Sequence, residues 1–394
     1  MKSEWQSRKI GDVVDIRRGA SPRPIHKFLA NAGMPWVKIA DATSDPSRYL
    51  WKTNECIIDE GINKSVVVEP ETLIVSNSAT PGLPKIMKIR ACVHDGWLVF
   101  TNYRGITRDF LYYKFIDIRQ KLVNQANGSV FQNLKTDIVK DFDIDIPSIR
   151  TQNKIVDTLS KLDEKIELNN AINNNLEQQA EAIFQSILSN AITTVNLGEI
   201  ADVKGGKRLP KGVNLIDIPN AHPYIRVRDL NNALFASLTP NYAYVDKETQ
   251  KSISRYIVST GDVLISIVGT IGLTAIVDST LDKANLTENC VKVTNLKHIT
   301  PEYLLLYLRS QLGREAIAKG TVGAVQQKLP IKNIQAIPIP LLSEKDKNAL
   351  FCTLDSIFSG ISNNVIQSAK LASLRDTLLP RLMSGELDVS DIDL

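Results

Sequence analysis

The chain has 394 residues, 43% of them hydrophobic and 23% charged, a globular balance with room for two cores of ordinary size. Its longest apolar runs, such as residues 263–268, are far too short to cross a bilayer, and the N-terminus MKSEWQSRKIGDVVDI scatters charge where a secretory signal would be apolar. A cytoplasmic protein without a membrane span is expected. Four widely spaced cysteines with no CxxC pair argue against a zinc site or a disulfide framework and are expected to be small buried residues.

Taken in chain order, the predicted elements occur twice. IGDVVDIRRG at 10–19 returns as LGEIADVKGG at 197–206, and PWVKIAD at 35–41 returns as PYIRVRD at 223–229, both with the apolar alternation of an amphipathic strand. ETLIVSNSATPGL at 71–83 faces GDVLISIVGTIGL at 261–273, with Ser76, Thr80 and Gly82 recurring as Ser266, Thr270 and Gly272. FLYYKF from Phe110 then meets YLLLYL from Tyr303, and the Pro-containing hinge IDIPSI at 144–149 meets IPIPLL at 337–342. The separation between partners widens along the repeat, as small loop insertions produce.

A long helical pattern follows each hinge. Ile155, Leu159, Leu162, Ile166, Asn169, Asn173, Leu176, Ala180, Ile183 and Ile187 alternate in steps of four and three, the seam of a coiled coil. A constant shift of 195 carries this seam, from Ile155 onto Leu350 through Ile187 onto Leu382, with Arg375 as its one charged intruder. Both seams turn polar at the same place, Asn169 and Asn173 in one and Asn364 and Ser368 in the other. Antiparallel pairing would bring these layers together, and a buried amide penalises every register that leaves it unpaired. Two unrelated surface helices with solvated Asn residues are the alternative, and the matched positions favour pairing. At about 1.5 Å per residue the seam makes a rod of roughly 50 Å, which at about 3.4 Å per base pair spans roughly 15 base pairs. Pro380 and Gly385 are expected to close the second helix.

The expected fold is therefore α+β: two mixed α/β domains separated by two long helices that pair as an antiparallel coiled coil, a pseudo-twofold repeat. The expected boundaries are 1–147 and 195–340 for the domains, 148–194 for the first spacer helix and 341–394 for the second with its tail.

The net charge of +4 resolves into +4 and +5 on the two domains against −2 and −3 on the helical segments. Positive charge confined to the repeats suits phosphate contact there. Each repeat is most basic after its first strand, at Arg17, Arg18, Arg23 and Lys27 and at Lys204, Lys207, Arg208 and Lys211. Glycine-bearing loops of this kind can approach a sugar-phosphate backbone, and their Arg forks can read guanine edges. A single such loop is usually a solvated surface, but this one recurs. A second polar loop also recurs, NQANGSVFQNL at 124–134 and KGTVGAVQQKL at 319–329. Its Gln132, Asn133, Gln326 and Gln327 are candidates for adenine readout, with Asn127, Ser129 and Lys328 beside them; the same composition would serve an ordinary turn. Asn77, Thr80 and Thr270 in the Ser-Thr-Gly segment, and Arg226 and Arg228 in the repeated strand, complete the candidate DNA-binding set.

No GxxxxGK[ST], HExxH or GxSxG motif occurs, and the four histidines stand alone, so no catalytic residue, metal site or resident cofactor is expected. The order of elements, the IGDVVDIRRG and LGEIADVKGG openings, the IDIP and IPIP hinges and the SGEL ending at 384–387 together resemble the specificity subunit of type I restriction-modification systems over essentially the whole chain. The resemblance implies a bacterial or archaeal subunit that is not itself an enzyme, whose domains each read half of a split, asymmetric site in double-stranded DNA. It implies two methylase and two restriction subunits as partners, which would carry S-adenosylmethionine, ATP and Mg. A coiled-coil assembly scaffold that does not bind DNA, and an enzyme assembled from dispersed acids, are the alternatives.

Overall fold

In the computed structural model the chain forms two units, one of residues 1–170 with 366–394 and one of residues 171–365. The structure describes residues 4–44, 46–126, 133–231, 233–239, 242–324 and 326–389. Two 40-residue helices, Ile149–Leu188 and Glu344–Met383, each give one half to either unit.

The first unit is built on two five-stranded sheets. One runs Asp15–Arg18, Trp97–Thr101, Leu73–Ser76, Pro84–Met87, Tyr49–Leu50, antiparallel except where the last two pair parallel. Its central strand, LIVS, is buried along its length, as a strand covered on both faces must be. The other sheet runs Leu29–Ala30, Glu55–Ile57, Met34–Val37, Ala91–Val93, Val66–Val68. Strand Gln6–Lys9 pairs antiparallel with Asp143–Ile146, so the expected hinge is a strand that feeds directly into the first long helix. Helix Arg108–Ala126 buries Phe110, Tyr113 and Phe115 on the first sheet, together with Ile155 and Leu159 of the first long helix and Leu379 and Leu382 of the second.

The second unit repeats this plan. Its five-stranded sheet runs Asp202–Gly205, Cys290–Thr294, Val263–Ser266, Thr274–Val277, Phe235–Ala236, in the same order as its counterpart. The smaller sheet has three strands, Ala243–Tyr244, Pro223–Ile225 and Asn285–Leu286. Thr193–Asn196 pairs with Pro338–Leu341 as the hinge strand. Where the first unit has one helix the second has two, Pro301–Arg309 and Gln311–Gly320, joined at Ser310, whose hydroxyl accepts from the Gly313 amide at 3.2 Å.

Within each unit the long helices pair antiparallel, as the seam predicts. In the first, Asn169 Nδ2 donates to Ser368 Oγ (3.1 Å) and Gln367 Oε1 (2.9 Å), while Asp163 meets Arg375 further along. In the second, Asn364 Nδ2 donates to Asn173 Oδ1 at 2.8 Å, and Ala180 and Phe184 share a core with Leu354 and Phe358. Pro380 does not close the second helix, which runs on to Met383 without the one N–H to i−4 bond that a proline cannot make, and Gly385 follows the end with φ +69°. Of the four cysteines Cys92 and Cys290 are buried, but Cys352 is exposed, on the outer side of its helix. Among the described residues no helix is long and apolar enough to cross a membrane.

Candidate nucleic-acid interface

In both repeats the basic loop is tied to one particular turn. Beyond strand Asp15–Arg18 the backbone passes so close to the 94–96 turn that a Cβ on Gly19 would lie 2.2 Å from the His94 carbonyl oxygen. The Gly19 amide donates to the Trp97 carbonyl (2.8 Å) and that of Ala20 to Val93 (3.2 Å). Asp95 then gathers the loop. Its carboxylate accepts from Ser21 Oγ (2.6 Å) and Arg23 Nη2 (3.1 Å), and its carbonyl accepts from Arg18 Nε (2.7 Å) and Asn77 Nδ2 (3.1 Å). Partial burial pushes the Asp95 carboxyl up, but the Ser21 hydroxyl and the Arg23 charge outweigh it and hold it below the usual carboxylate range. Burial pushes the neighbouring His94 imidazole down, and its Nδ1 accepts from the Gly96 amide at 2.7 Å. Arg17, on the opposite strand face from Arg18, donates to the Val67 carbonyl at 3.1 Å.

The second repeat uses the same device with different residues. A Cβ on Gly206 would lie 2.0 Å from the Thr287 carbonyl oxygen, and the Gly206 and Lys207 amides donate to Cys290 (3.0 Å) and Leu286 (2.8 Å). Glu288 stands where Asp95 stood and accepts from Arg208 Nε at 2.7 Å. Its carboxyl is also held low: burial acts upward and the Arg208 hydrogen bond overrides it. Lys207 Nζ lies 5.4 Å from the centre of the Tyr256 ring, and Lys204 pairs with Asp202 at 3.0 Å. Arg17, Arg18, Arg23 and Lys27, and Lys204, Lys207, Arg208 and Lys211, are all exposed.

The other recurring segments converge on these edges. Asn77 follows the central strand, and its amide donates to the Gly96 carbonyl (2.8 Å) while its carbonyl accepts from Leu134 (2.7 Å). Exposed Asn133 therefore sits beside the Asp95 turn, whereas Asn127, Ser129 and Gln132 lie outside the described residues. In the second repeat the Ile267 amide donates to the Asn289 carbonyl (2.8 Å) and its carbonyl accepts from Leu329 (3.0 Å), with Val268 bridged to Lys328. Gln326, Gln327 and Lys328 are exposed there. Among the described residues, the first domain thus presents basic loop, acidic turn and the Asn133–Leu134 end of the polar loop along one edge, and the second presents basic loop, acidic turn and residues 326–329.

Some candidates have structural tasks. Ser266 Oγ donates to the Thr270 carbonyl (2.6 Å) and accepts from the Leu273 amide (2.8 Å), with Gly272 at φ +85°; Ser76, Thr80, Leu83 and Gly82 do the same. The recurrence of Ser, Thr and Gly there is explained by closing a loop, and it is the Thr80 and Thr270 backbone that takes part. Asn77 is buried, with 4% exposure. Arg226 is held by Asp229 through Nε (2.8 Å) and Nη2 (3.0 Å), and Arg228 is exposed 3.9 Å from the same carboxylate. Sequence reasoning passed over Asp95 and Glu288. Extending the repeat alignment through HDGW and TENC would have brought these acids to matching positions.

A family model described as the type I restriction modification DNA specificity domain matches residues 2–178 and again residues 191–369. The chain belongs to this family. It carries the specificity domain twice, as the repeat requires. It is 22% identical to the type I restriction enzyme MjaIX specificity subunit of Methanocaldococcus jannaschii, over 99% of this chain and 95% of that one. It is 22% identical to the HindI specificity subunit of Haemophilus influenzae, over 98% and 100%. The crystal structure of a type I restriction-modification S subunit from M. genitalium shares the fold, with a TM-score of 0.56 at 17% identity over 96% of both chains.

Proposed function

We propose that each specificity domain docks one half of a bipartite, asymmetric site in double-stranded DNA on the edge formed by its basic loop, acidic turn and polar loop. The observation that carries this reading is the recurrence of the assembly, a close-packed glycine followed by an arginine on the turn's carboxylate, Gly19, Arg23 and Asp95 answered by Gly206, Arg208 and Glu288, in domains whose loop sequences otherwise diverge. Shared scaffolding under divergent loops suits two readers of different base sequences.

The Arg and Lys side chains supply phosphate contact and guanine readout, and the polar loops supply adenine readout. The paired helices set the distance between half-sites and dock two methylase subunits, to which two restriction subunits are added in the cytoplasm. Methyl transfer and cleavage, with S-adenosylmethionine, ATP and Mg, belong to those partners, and this chain supplies the address. The absence of nucleotide-loop and metal-pair motifs from its sequence supports that division.

The test is binding of the chain with its methylase subunits to genomic fragments, followed by mapping of methylated adenines. Arg18→Ala with Arg208→Ala should weaken binding and reduce its log–log salt slope by about one per lost phosphate contact. Unchanged affinity and slope would favour the assembly scaffold instead.

A further inference from the structure

The shift of 195 between the seams, together with the smaller offsets of the domain segments (193 from FLYYKF to YLLLYL, 186 from strand Tyr49–Leu50 to strand Phe235–Ala236), matches positions of the first unit with positions of the second. Asp163 and Arg375 meet in the first unit at 2.7 Å, with the Asp163 side chain 8% exposed. Asp163 also accepts from Tyr113 Oη (2.6 Å), which in turn accepts from Arg48 Nη1 (3.3 Å). The matching positions in the second unit are Phe358 for Asp163, Ala180 for Arg375, Leu306 for Tyr113 and Leu234 for Arg48, and all four lie in one apolar core. A buried polar network in one unit is hydrocarbon in the other.

The second unit has its own ion pair at a different place. Arg309 Nη1 meets Glu177 Oε1 at 3.1 Å and also donates from Nη2 to the Ala233 carbonyl (2.6 Å), with the Arg309 side chain 12% exposed. The matching positions in the first unit are Ile116 and Ala372. Both carboxylates, Asp163 and Glu177, lie on the first long helix, and both guanidiniums, Arg309 and Arg375, lie in the second half of the sequence. Each pair joins first half to second half, once per unit.

We infer that these pairs form a charge code that lets a first half associate only with a second half and rejects the first half of another copy. If two first halves paired through the same geometry, each Asp163 would face Ala180 of the other copy in place of Arg375 and keep only its Tyr113 hydrogen bond, and each Glu177 would face Ile116, so four carboxylates would enter the pairing without their guanidiniums. Two second halves would leave four guanidiniums facing Phe358 and Ala372. A buried ion that loses its partner keeps its full desolvation penalty, whereas an apolar replacement does not. The hydrophobic seam and its Asn layers cannot make this choice, because the constant shift makes them nearly self-complementary.

The test uses full-length chain. Leu176 Cδ1 lies 3.7 Å from where a Cβ on Gly360 would be, and the shift makes Lys165 the first-helix equivalent of Gly360. In a pairing of two first helices, position 176 of one copy would face position 165 of the other. Within one helix these positions are about 16 Å apart, too far for a disulfide. Lys165→Cys with Leu176→Cys, in a Cys56→Ser and Cys352→Ser background, therefore traps only pairing between copies.

After refolding and oxidation, the charged chain should stay monomeric on a non-reducing gel. Adding Asp163→Asn, Glu177→Gln, Arg309→Met and Arg375→Met should raise the disulfide-linked dimer by about tenfold or more. Equal trapping in both backgrounds, or trapping in neither, overturns the inference. A second measurement guards against misfolding: Arg375→Met alone should lower Tm more than Arg375→Met with Asp163→Asn, and the reverse order also overturns it.

Discussion

Gly19 and Gly206 show how little a residue need carry to matter. Each lets the arginine loop lie against its turn at a distance no Cβ tolerates, so Gly19→Ala and Gly206→Ala must push the loop away, at about 1–3 kcal/mol each. Urea denaturation should show the loss, and DNA affinity should fall with it although no cation has been removed. Asp95 and Glu288 act in the opposite sense, since each neutralises a guanidinium that phosphate would otherwise engage. Asp95→Asn and Glu288→Gln should tighten non-specific DNA binding and steepen its salt dependence. Both carboxyls are held below their ordinary values, so their contribution to stability is present above the unfolded pKa and is lost as pH falls through the folded one. Thermal melts from pH 7 downward should therefore steepen below about pH 5 in the natural chain and less so in the double variant. These acids escaped sequence reading because a search for DNA contacts looks for cations. The basic residues were legible by recurrence, but nothing in the sequence indicates that Arg226 is held by Asp229 or that Thr80 closes a loop through its carbonyl.

At the scale of elements, the helices were the most legible part of the molecule. A seam repeating in fours and threes has one interpretation, and a constant shift between two seams has room for no insertion, because a single extra residue would rotate every later position by about 100°. The strands were legible where apolar positions alternate, as in PWVKIAD and PYIRVRD, which hold Met34–Val37 and Pro223–Ile225, and not where they have two residues, such as Tyr49–Leu50. Arg375 looked like a blemish because its partner lies 212 residues away; burial of Asp163 turns it into half of a pair. The Asn layers suit a register device. Asn169 is fully buried, and Asn169→Leu would leave the half-buried Ser368 hydroxyl opposite a hydrocarbon, for a loss of about 1 kcal/mol. Asn169→Leu with Asn173→Leu, Asn364→Leu and Ser368→Leu makes both layers apolar, with exposed Gln367 left to water, and should recover that loss while loosening the register. Thermal melts would follow the first effect, and disulfide trapping between helix positions one turn out of register would follow the second.

For the whole molecule the decisive property is that each long helix is divided between two units whose specificity domains are built alike. A change at the middle of the helices leaves both domains intact, so it separates reading from measuring. Seven residues inserted after Asn170 and seven after Val365 keep the heptad phase and lengthen each helix by about 10.5 Å. On the reading proposed above, both half-site sequences should be retained, and the unspecified gap between them should grow by about three base pairs. Mapping methylated adenines in cells that carry the lengthened chain with its methylase subunits gives the answer directly. An unchanged gap would remove the helices from the measurement of spacing, and changed half-sites would place base recognition outside the two domain edges.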